Sequence, residues 1–221
     1  MPVSAFLEVV MDNHRVIRLY GYPLSGHAHR VRLFLSLLGL PHEVIDVDLA
    51  RGEHKRPEFL ALNPLGQVPV IDDGDFTLAD SNAILVYLAS HYDQGGHWLP
   101  TEPQAMAQVQ RWLGIAAGPL HAGPGLARVE VVFSRPRDPQ RHEVAAQLFA
   151  MMNAHLAAQP FLVGHGPTIA DVALYTYTAH APEGGVSLQP YGHVRAWLER
   201  IEALPRFVGM VRNPTAEPPA A

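Results

Sequence analysis

The run Asn63-Pro64-Leu65-Gly66-Gln67-Val68-Pro69-Val70-Ile71 sets a proline inside an apolar stretch that otherwise reads as a strand. Proline cannot donate to a sheet ladder, so Val68-Pro69 argues for a strand whose edge is left open, often through a cis bond. An open edge can receive a peptide. Shortly after it, Asp80-Ser81 stands where a helical pattern carrying Ile84, Leu85 and Leu88 begins, which places unpaired backbone N–H groups beside a carboxylate. Together these features suit an extended, zwitterionic peptide.

The rest of the chain bounds what can surround this pair. Its 221 residues divide naturally into two small domains. With 48% apolar residues, 17% charged and a net charge of −5, it has no electrostatic reason to seek nucleic acid. The absence of cysteine excludes a disulfide framework, thiolate zinc sites and a cysteine nucleophile, so any thiol chemistry must use a thiol that arrives with a substrate. No apolar run approaches the roughly 20 residues of a spanning helix, and no membrane partner is expected. The apolar patch around Phe6 and Leu7 lacks a basic lead-in and is broken by Glu8, so the expected location is cytoplasmic. Met11 is an equally plausible start, and residues 1–10 are expected to add nothing to the core.

Val16-Ile17-Arg18-Leu19-Tyr20 reads as a strand and residues 21–26 as a turn. Val31, Phe34, Leu35 and Leu38 recur at helical spacing up to Gly39, a C-terminal stop. Residues 43–48 supply a second strand, predicting a parallel βαβ unit. A short helix at 57–62 leads into the proline-bearing strand, which turns through residues 72–75 into Phe76-Thr77-Leu78 as a hairpin before the next helix. The order βαβ then ββα is that of a thioredoxin-like domain over residues 15–92. Residues 93–103 read as a linker, and residues 104–212 as an all-helical domain, with 1–14 and 213–221 as terminal extensions. Helical spacing there links Met106, Val109 and Leu113, then Val144, Leu148, Met151 and His155, then Val194, Trp197, Leu198 and Ile201; prolines, Pro119 and Pro124 among them, are expected between or at the ends of helices. Thr168-Ile169-Ala170-Asp171 has the form of a capping box. The connection His180-Ala181-Pro182-Glu183-Gly184-Gly185 is tight and unusual, with no role assigned to it from the sequence.

The pieces Leu19-Tyr20 to Ser25, Gly52-Glu53-His54, Asn63-Pro64-Leu65 to Val68-Pro69, Asp73 to Leu78 and Asp80-Ser81 stand in an order and spacing that resemble the glutathione S-transferase family. The resemblance covers about residues 15–212, is strongest from Leu19 to Tyr87, and is nearest to the bacterial and theta- or nu-like groups. It implies a fold of a thioredoxin-like α/β domain followed by an all-α domain, glutathione as co-substrate with no metal, a small electrophile or disulfide as second substrate, and a homodimer. Asp80 stands where Glu is more usual, and Gln67 where some relatives carry Lys; neither change removes a needed hydrogen-bonding type.

A free cysteine thiol, with a pKa of about 8.5, is only a few per cent ionised near neutral pH. Lowering that value by about two units raises the thiolate fraction roughly 25-fold, but the lost nucleophilicity returns roughly 6- to 10-fold of the gain. Positioning of the electrophile must supply the rest. On spacing alone, Ser25 is the N-cap of the first helix; the resemblance implies that its hydroxyl donates to the sulfur, with Tyr20 as the competitor. The resemblance further implies that Val68 pairs through its backbone with the cysteinyl part of glutathione, that a cis Pro69 holds that edge open, and that Asp80 and Ser81 take the γ-glutamyl ammonium and carboxylate. His54 and Gln67 match positions that reach the glycyl end or the central backbone. His27 and His29 would point to different faces, as solvated or ligand-edge rings without a metal. Trp112, Leu113, Ala116, Leu120 and Phe133 are offered for an electrophile pocket, although helical spacing reads Trp112 and Leu113 more often as core; Tyr175 and Tyr177 are open between cleft, core and interface. The favoured function is a glutathione transferase. Reduction of disulfides or hydroperoxides by the same bound thiol, and a non-catalytic glutathione-binding regulator, are the alternatives.

Overall fold

The structure is a computed structural model and describes residues 16–213; expectations about the residues on either side lie outside the described part. In β1 (Ile17–Gly21), Ile17 and Leu19 are buried while Arg18 faces out. Ser25 begins α1 (Gly26–Leu38) by accepting the Ala28 N–H on its hydroxyl oxygen at 3.2 Å. Gly39 ends that helix with φ of 69°, a left-handed conformation that favours glycine. β2 (His42–Asp46) returns parallel to β1 in the register Ile17 to His42. After α2 (Pro57–Leu62), β3 (Val70–Asp73) and β4 (Phe76–Ala79) form the hairpin, and the sheet order is β2-β1-β3-β4.

This order corrects one expectation. The proline-bearing strand is not a sheet edge: β3 lies between β1 and β4, and its ladder starts at Val70, one residue after Pro69. An interior strand has no place for a residue without an N–H, so the ladder begins only where proline has ended. The Val68–Pro69 bond is cis. What stays open is the approach to β3, at Val68.

α3 (Ser81–Tyr92) starts at Asp80, whose Oδ1 accepts the N–H groups of Asn82 and Ala83, each at 2.9 Å. Asp80 holds φ of 76°, a sparsely populated conformation for a non-glycine residue that costs on the order of 1–3 kcal/mol and tends to occur at ligand clamps.

Beyond it come α4 (Pro103–Ile115), a π-helical stretch (Ala116–Gly125), α5 (Leu126–Val132), α6 (Gln140–Leu156), α7 (Ile169–Ala179), a short 3-10 turn (Ala181–Gly184) and α8 (Gly192–Glu202). Here too the sequence reading needs correction, because Pro119 and Pro124 lie inside the π-helical stretch instead of between helices. The wider winding keeps the chain helical across residues that would break an α-helix. Met106 is exposed, unlike Val109 and Leu113, which are core. Residues 93–103 are docked, with Trp98 set edge-on to Phe34 and its carbonyl accepting the Ile169 N–H at 2.9 Å.

α7 is buried from Ile169 to Thr178. Asp171 completes the capping box with Thr168 and also accepts from the Leu162 N–H and the Trp197 indole, at 2.9 Å each. α1 packs against α7, so one apolar core runs from Ile17 to Ile201 through both halves. Fully burying a large apolar side chain contributes about 1.5–3 kcal/mol, and Phe34, Trp112, Phe149 and Trp197 are all sealed in it.

Candidate functional site

A cavity of about 480 Å³ opens where the β1–α1 loop, the approach to β3, the start of α3 and the inner side of α5 meet. Ser25, His54, Gln67, Val68, Asp80 and Ser81 all line it, although they come from four separate stretches of chain. Pro69 is not part of the lining. Tyr20 is not either: it packs edge-on against Phe59 below the sheet, with ring centres 6.5 Å apart.

The wall around Val68 is braced from behind. Asn63 donates from Nδ2 to the Gln67 carbonyl at 2.8 Å and accepts the Leu65 N–H, while Lys55 Nζ donates to the carbonyls of Leu65 and Gly66. Among the described residues no hydrogen bond uses the Val68 N–H or C=O, so one backbone donor and one acceptor remain unspent at a residue that lines the cavity. The Nδ1 of His54 is buried without a partner. Ser25 accepts from Ala28 and, among the described residues, meets no acceptor for its own proton, so capping and donation into the cavity are compatible. Asp80 likewise spends Oδ1 on the cap and, among the described residues, leaves Oδ2 without a hydrogen-bond partner.

Several lining residues escaped the sequence reading. Arg30 is fully buried, donates from Nη1 to Ser81 Oγ and Asn82 Oδ1 at 2.8 Å each, and leaves Nε and Nη2 unpartnered. Burial lowers its pKa to about 10, so it remains charged at neutral pH. Arg30 stands four residues before Phe34, on the same buried stripe of α1; that spacing was the available signal. His121 and Arg128 reach the cavity from the helical half, with no local pattern to announce them.

The rings of His27 and His29 point to different faces, and His27 stands at the cavity edge while His29 departs from expectation. His27 is mostly buried, edge-on to Tyr177 and 5.4 Å from His121, with Nδ1 3.3 Å from Ser81 Oγ. Burial, then Arg30 and His121, push its pKa well below the ordinary range, leaving it neutral. His29 is neither solvated nor at the ligand edge: it bridges the two halves, with Nε2 2.9 Å from the Val208 carbonyl and Nδ1 2.9 Å from Thr176 Oγ1. A carbonyl only accepts, so Nε2 carries the proton and Thr176 donates to Nδ1.

Four of the five side chains offered for an electrophile pocket, Trp112, Leu113, Ala116 and Leu120, are core; only Phe133 lines the cavity. A continuous helical stripe serves packing first, and Phe133 escapes it by following the last turn of α5. Its ring meets Tyr22 at 6.3 Å, and Leu24, Ala117 and Val129 complete an apolar wall. Tyr177 lines the cavity with its pKa raised by burial, whereas Tyr175 turns away to donate to Glu202 at 2.9 Å. Gly26 lies so close to Tyr177 that a Cβ there would fall 2.7 Å from two ring carbons. Among the described residues, no group of three or more His, Cys, Asp or Glu is arranged to hold a metal.

The N-terminal domain model of the glutathione S-transferase family matches residues 15–90, and its C-terminal domain model matches residues 134–205. Glutathione S-transferase 3 of Zea mays is 37% identical over 216 residues, covering 92% of this chain and 96% of the relative. The chain belongs to the glutathione S-transferase family. It is thus an enzyme of the glutathione transferase class. The crystal structure of a glutathione S-transferase from Pseudomonas fluorescens Pf-5 matches with a TM-score of 0.83 at 35% identity, covering 89% of this chain and 100% of that one. A glutathione transferase homologue from Drosophila mojavensis, solved with bound glutathione, matches with a TM-score of 0.79 at 29% identity, covering 86% and 89% of the two chains. As in the sequence reading, a thioredoxin-like sheet domain precedes a helical one. Among the described residues no helix is long and apolar enough to cross a membrane.

Proposed function

We propose that this glutathione transferase lays glutathione across Val68, with the sulfur at the Ser25 hydroxyl, and transfers it to a small electrophile seated between Tyr22 and Phe133. The observation that carries the reading is the set of unspent groups around one cavity. Val68 offers a free N–H and C=O, Ser25 a free hydroxyl proton and Asp80 a free carboxylate oxygen. With Arg128 paired to Glu183, Arg30 and Lys55 still outnumber Asp80 among the charged residues of the lining, which suits a ligand of net negative charge.

The γ-glutamyl carboxylate belongs at Ser81, where the start of α3 supplies N–H groups and Arg30 stands behind. The ammonium belongs at Asp80, the cysteinyl backbone at Val68, and the glycyl end near His54 and Gln67. Ser25 then stabilises thiolate by donation, aided by the N-terminal N–H groups of α1. The protein acts as a cytoplasmic homodimer in this reading.

Thermal denaturation with and without millimolar glutathione tests the binding half, with a rise expected that Ser81→Ala abolishes. No rise in the wild type would favour a regulator that kept the fold. Turnover of a small aromatic halide beside a mixed glutathione disulfide separates conjugation from reduction, and conjugation is the expected activity.

A further inference from the structure

The unusual connection after α7 is built against α5 with almost no clearance. A Cβ on Gly184 would lie 2.6 Å from the Arg128 backbone N and 2.7 Å from the Ala127 carbonyl carbon, so only glycine permits this approach. The approach brings Glu183 Oε2 to 2.7 Å from Arg128 Nε, and Glu183 Oε1 to 2.7 Å from His180 Nδ1. The Arg128 side chain is 2% exposed and that of Glu183 9%. Burial works to raise the Glu183 carboxyl, but His180 and Arg128 together hold it below the usual carboxylate range.

A buried ion pair is a weak source of stability, since apolar residues of equal volume do as well or better. This guanidinium does something an apolar side chain cannot. Its Nη1 donates to the Leu24 carbonyl at 2.8 Å. The other end of that same peptide unit, the Ser25 N–H, donates to the Tyr22 carbonyl at 2.8 Å. The plane that carries Ser25 is therefore pinned at both ends, once by its own turn and once from the helical half of the molecule.

We propose that Arg128, held in place by Glu183 and His180, is a positioning residue for thiol activation: by anchoring the Leu24 carbonyl it sets where the Ser25 hydroxyl and the first N–H groups of α1 point. This rests on the reading of Ser25 as the sulfur's hydrogen-bond donor. Rotation of the pinned plane would swing the hydroxyl away from the sulfur, and a misplacement of about 1 Å can cost on the order of a hundredfold in rate.

The test uses Arg128→Lys, which keeps the charge but loses the fork, and Glu183→Gln, which removes the carboxylate's charge while keeping its shape. Thiolate formation in the glutathione complex is followed by its ultraviolet absorbance against pH, alongside glutathione affinity, kcat and KM. In both variants affinity should stay within about threefold, the thiolate titration should move to higher pH and kcat should fall by about tenfold or more. Arg128→Lys combined with Ser25→Ala should be no slower than Ser25→Ala alone. An unmoved titration in a folded variant, or losses that multiply in the double variant, overturns the proposal. Should Arg128→Lys not fold by circular dichroism, Glu183→Gln decides alone. A wild type that forms no thiolate with glutathione overturns the glutathione reading and this inference with it; a normal wild-type titration that the variants share overturns the inference only.

Discussion

Arg30 donates from Nη1 to the Ser81 hydroxyl at 2.8 Å, so the first residue of α3 is held by a cation 51 positions earlier in the chain. Two further nitrogens of that guanidinium are buried without partners. Such unmet donors are costly, and a carboxylate arriving at Ser81 is the natural compensation.

Arg30→Met should therefore separate binding from folding. Losing two hydrogen bonds costs about 1 kcal/mol each, but relieving a buried charge offsets it, so stability should change by less than about 2 kcal/mol. Glutathione affinity should drop by roughly tenfold or more, the loss of a charge-assisted contact. Thermal melts with and without glutathione check both; an unchanged ligand-induced rise would place the carboxylate elsewhere.

Ser25→Ala removes an N-cap as well as the sulfur's donor. The cap should cost about 1 kcal/mol, read from urea unfolding. Conjugation of a small aromatic halide should fall by more than roughly tenfold with glutathione affinity nearly unchanged, the pattern of an interaction made chiefly in the transition state. Retained turnover would give the role to Tyr20 or to the N–H groups of α1, and Tyr20 already stands outside the cavity.

Phe133 borders the cavity without belonging to the core. Phe133→Ala should raise KM for an apolar electrophile by about threefold to tenfold while leaving KM for glutathione in place, as expected for a contact with one substrate only. Equal rises for both substrates would contradict the seating proposed between Tyr22 and Phe133.

His29 makes stability depend on pH. Its pKa is lowered from 6.5 to about 4, by burial first and then by His180, Arg32 and Arg128, against an opposing hydrogen bond to Val208. A depressed histidine favours the fold while neutral. The contribution is fully present above the unfolded value of 6.5 and is lost as pH falls through about 4. The gap corresponds to roughly 3 kcal/mol. Urea midpoints measured across that window should fall more steeply for the wild type than for His29→Gln; parallel curves would refute the assignment.

Asp171 is structural. Asp171→Ala would strand the Leu162 and Thr168 N–H groups and the Trp197 indole, all buried. At about 1–3 kcal/mol for each unmet donor, the loss should exceed roughly 3 kcal/mol. Urea unfolding checks it, and any folded fraction should still bind glutathione, because Asp171 lies outside the cavity lining.

The elements that could be read from sequence share a local cause. The βαβ-ββα order, the caps at Ser25 and Gly39, and the Thr168–Asp171 box are each set by neighbouring residues, so composition and spacing announce them. Ser25, Val68, Asp80 and Ser81 stood out for the same reason, through a proline or a helix start close by. What stayed hidden depends on partners far along the chain. Arg30 is buried where α1 packs on α3 and His29 where α1 packs on α7, and Arg128 meets Leu24 across 104 positions. Pro119 and Pro124 misled because a breaker of α-helix is not a breaker of a wider coil. Ala116 and Leu120 misled because the same spacing describes a stripe facing ligand and a stripe facing core.

The bare backbone of Gly26 against the Tyr177 ring has a mechanical consequence. With no gap at that seam, prying the sheet half from the helical half would expose the core they share. The solvent-facing part of the cavity wall lies instead with Phe133, 39% exposed, and Tyr22, whose ring centres stand 6.3 Å apart.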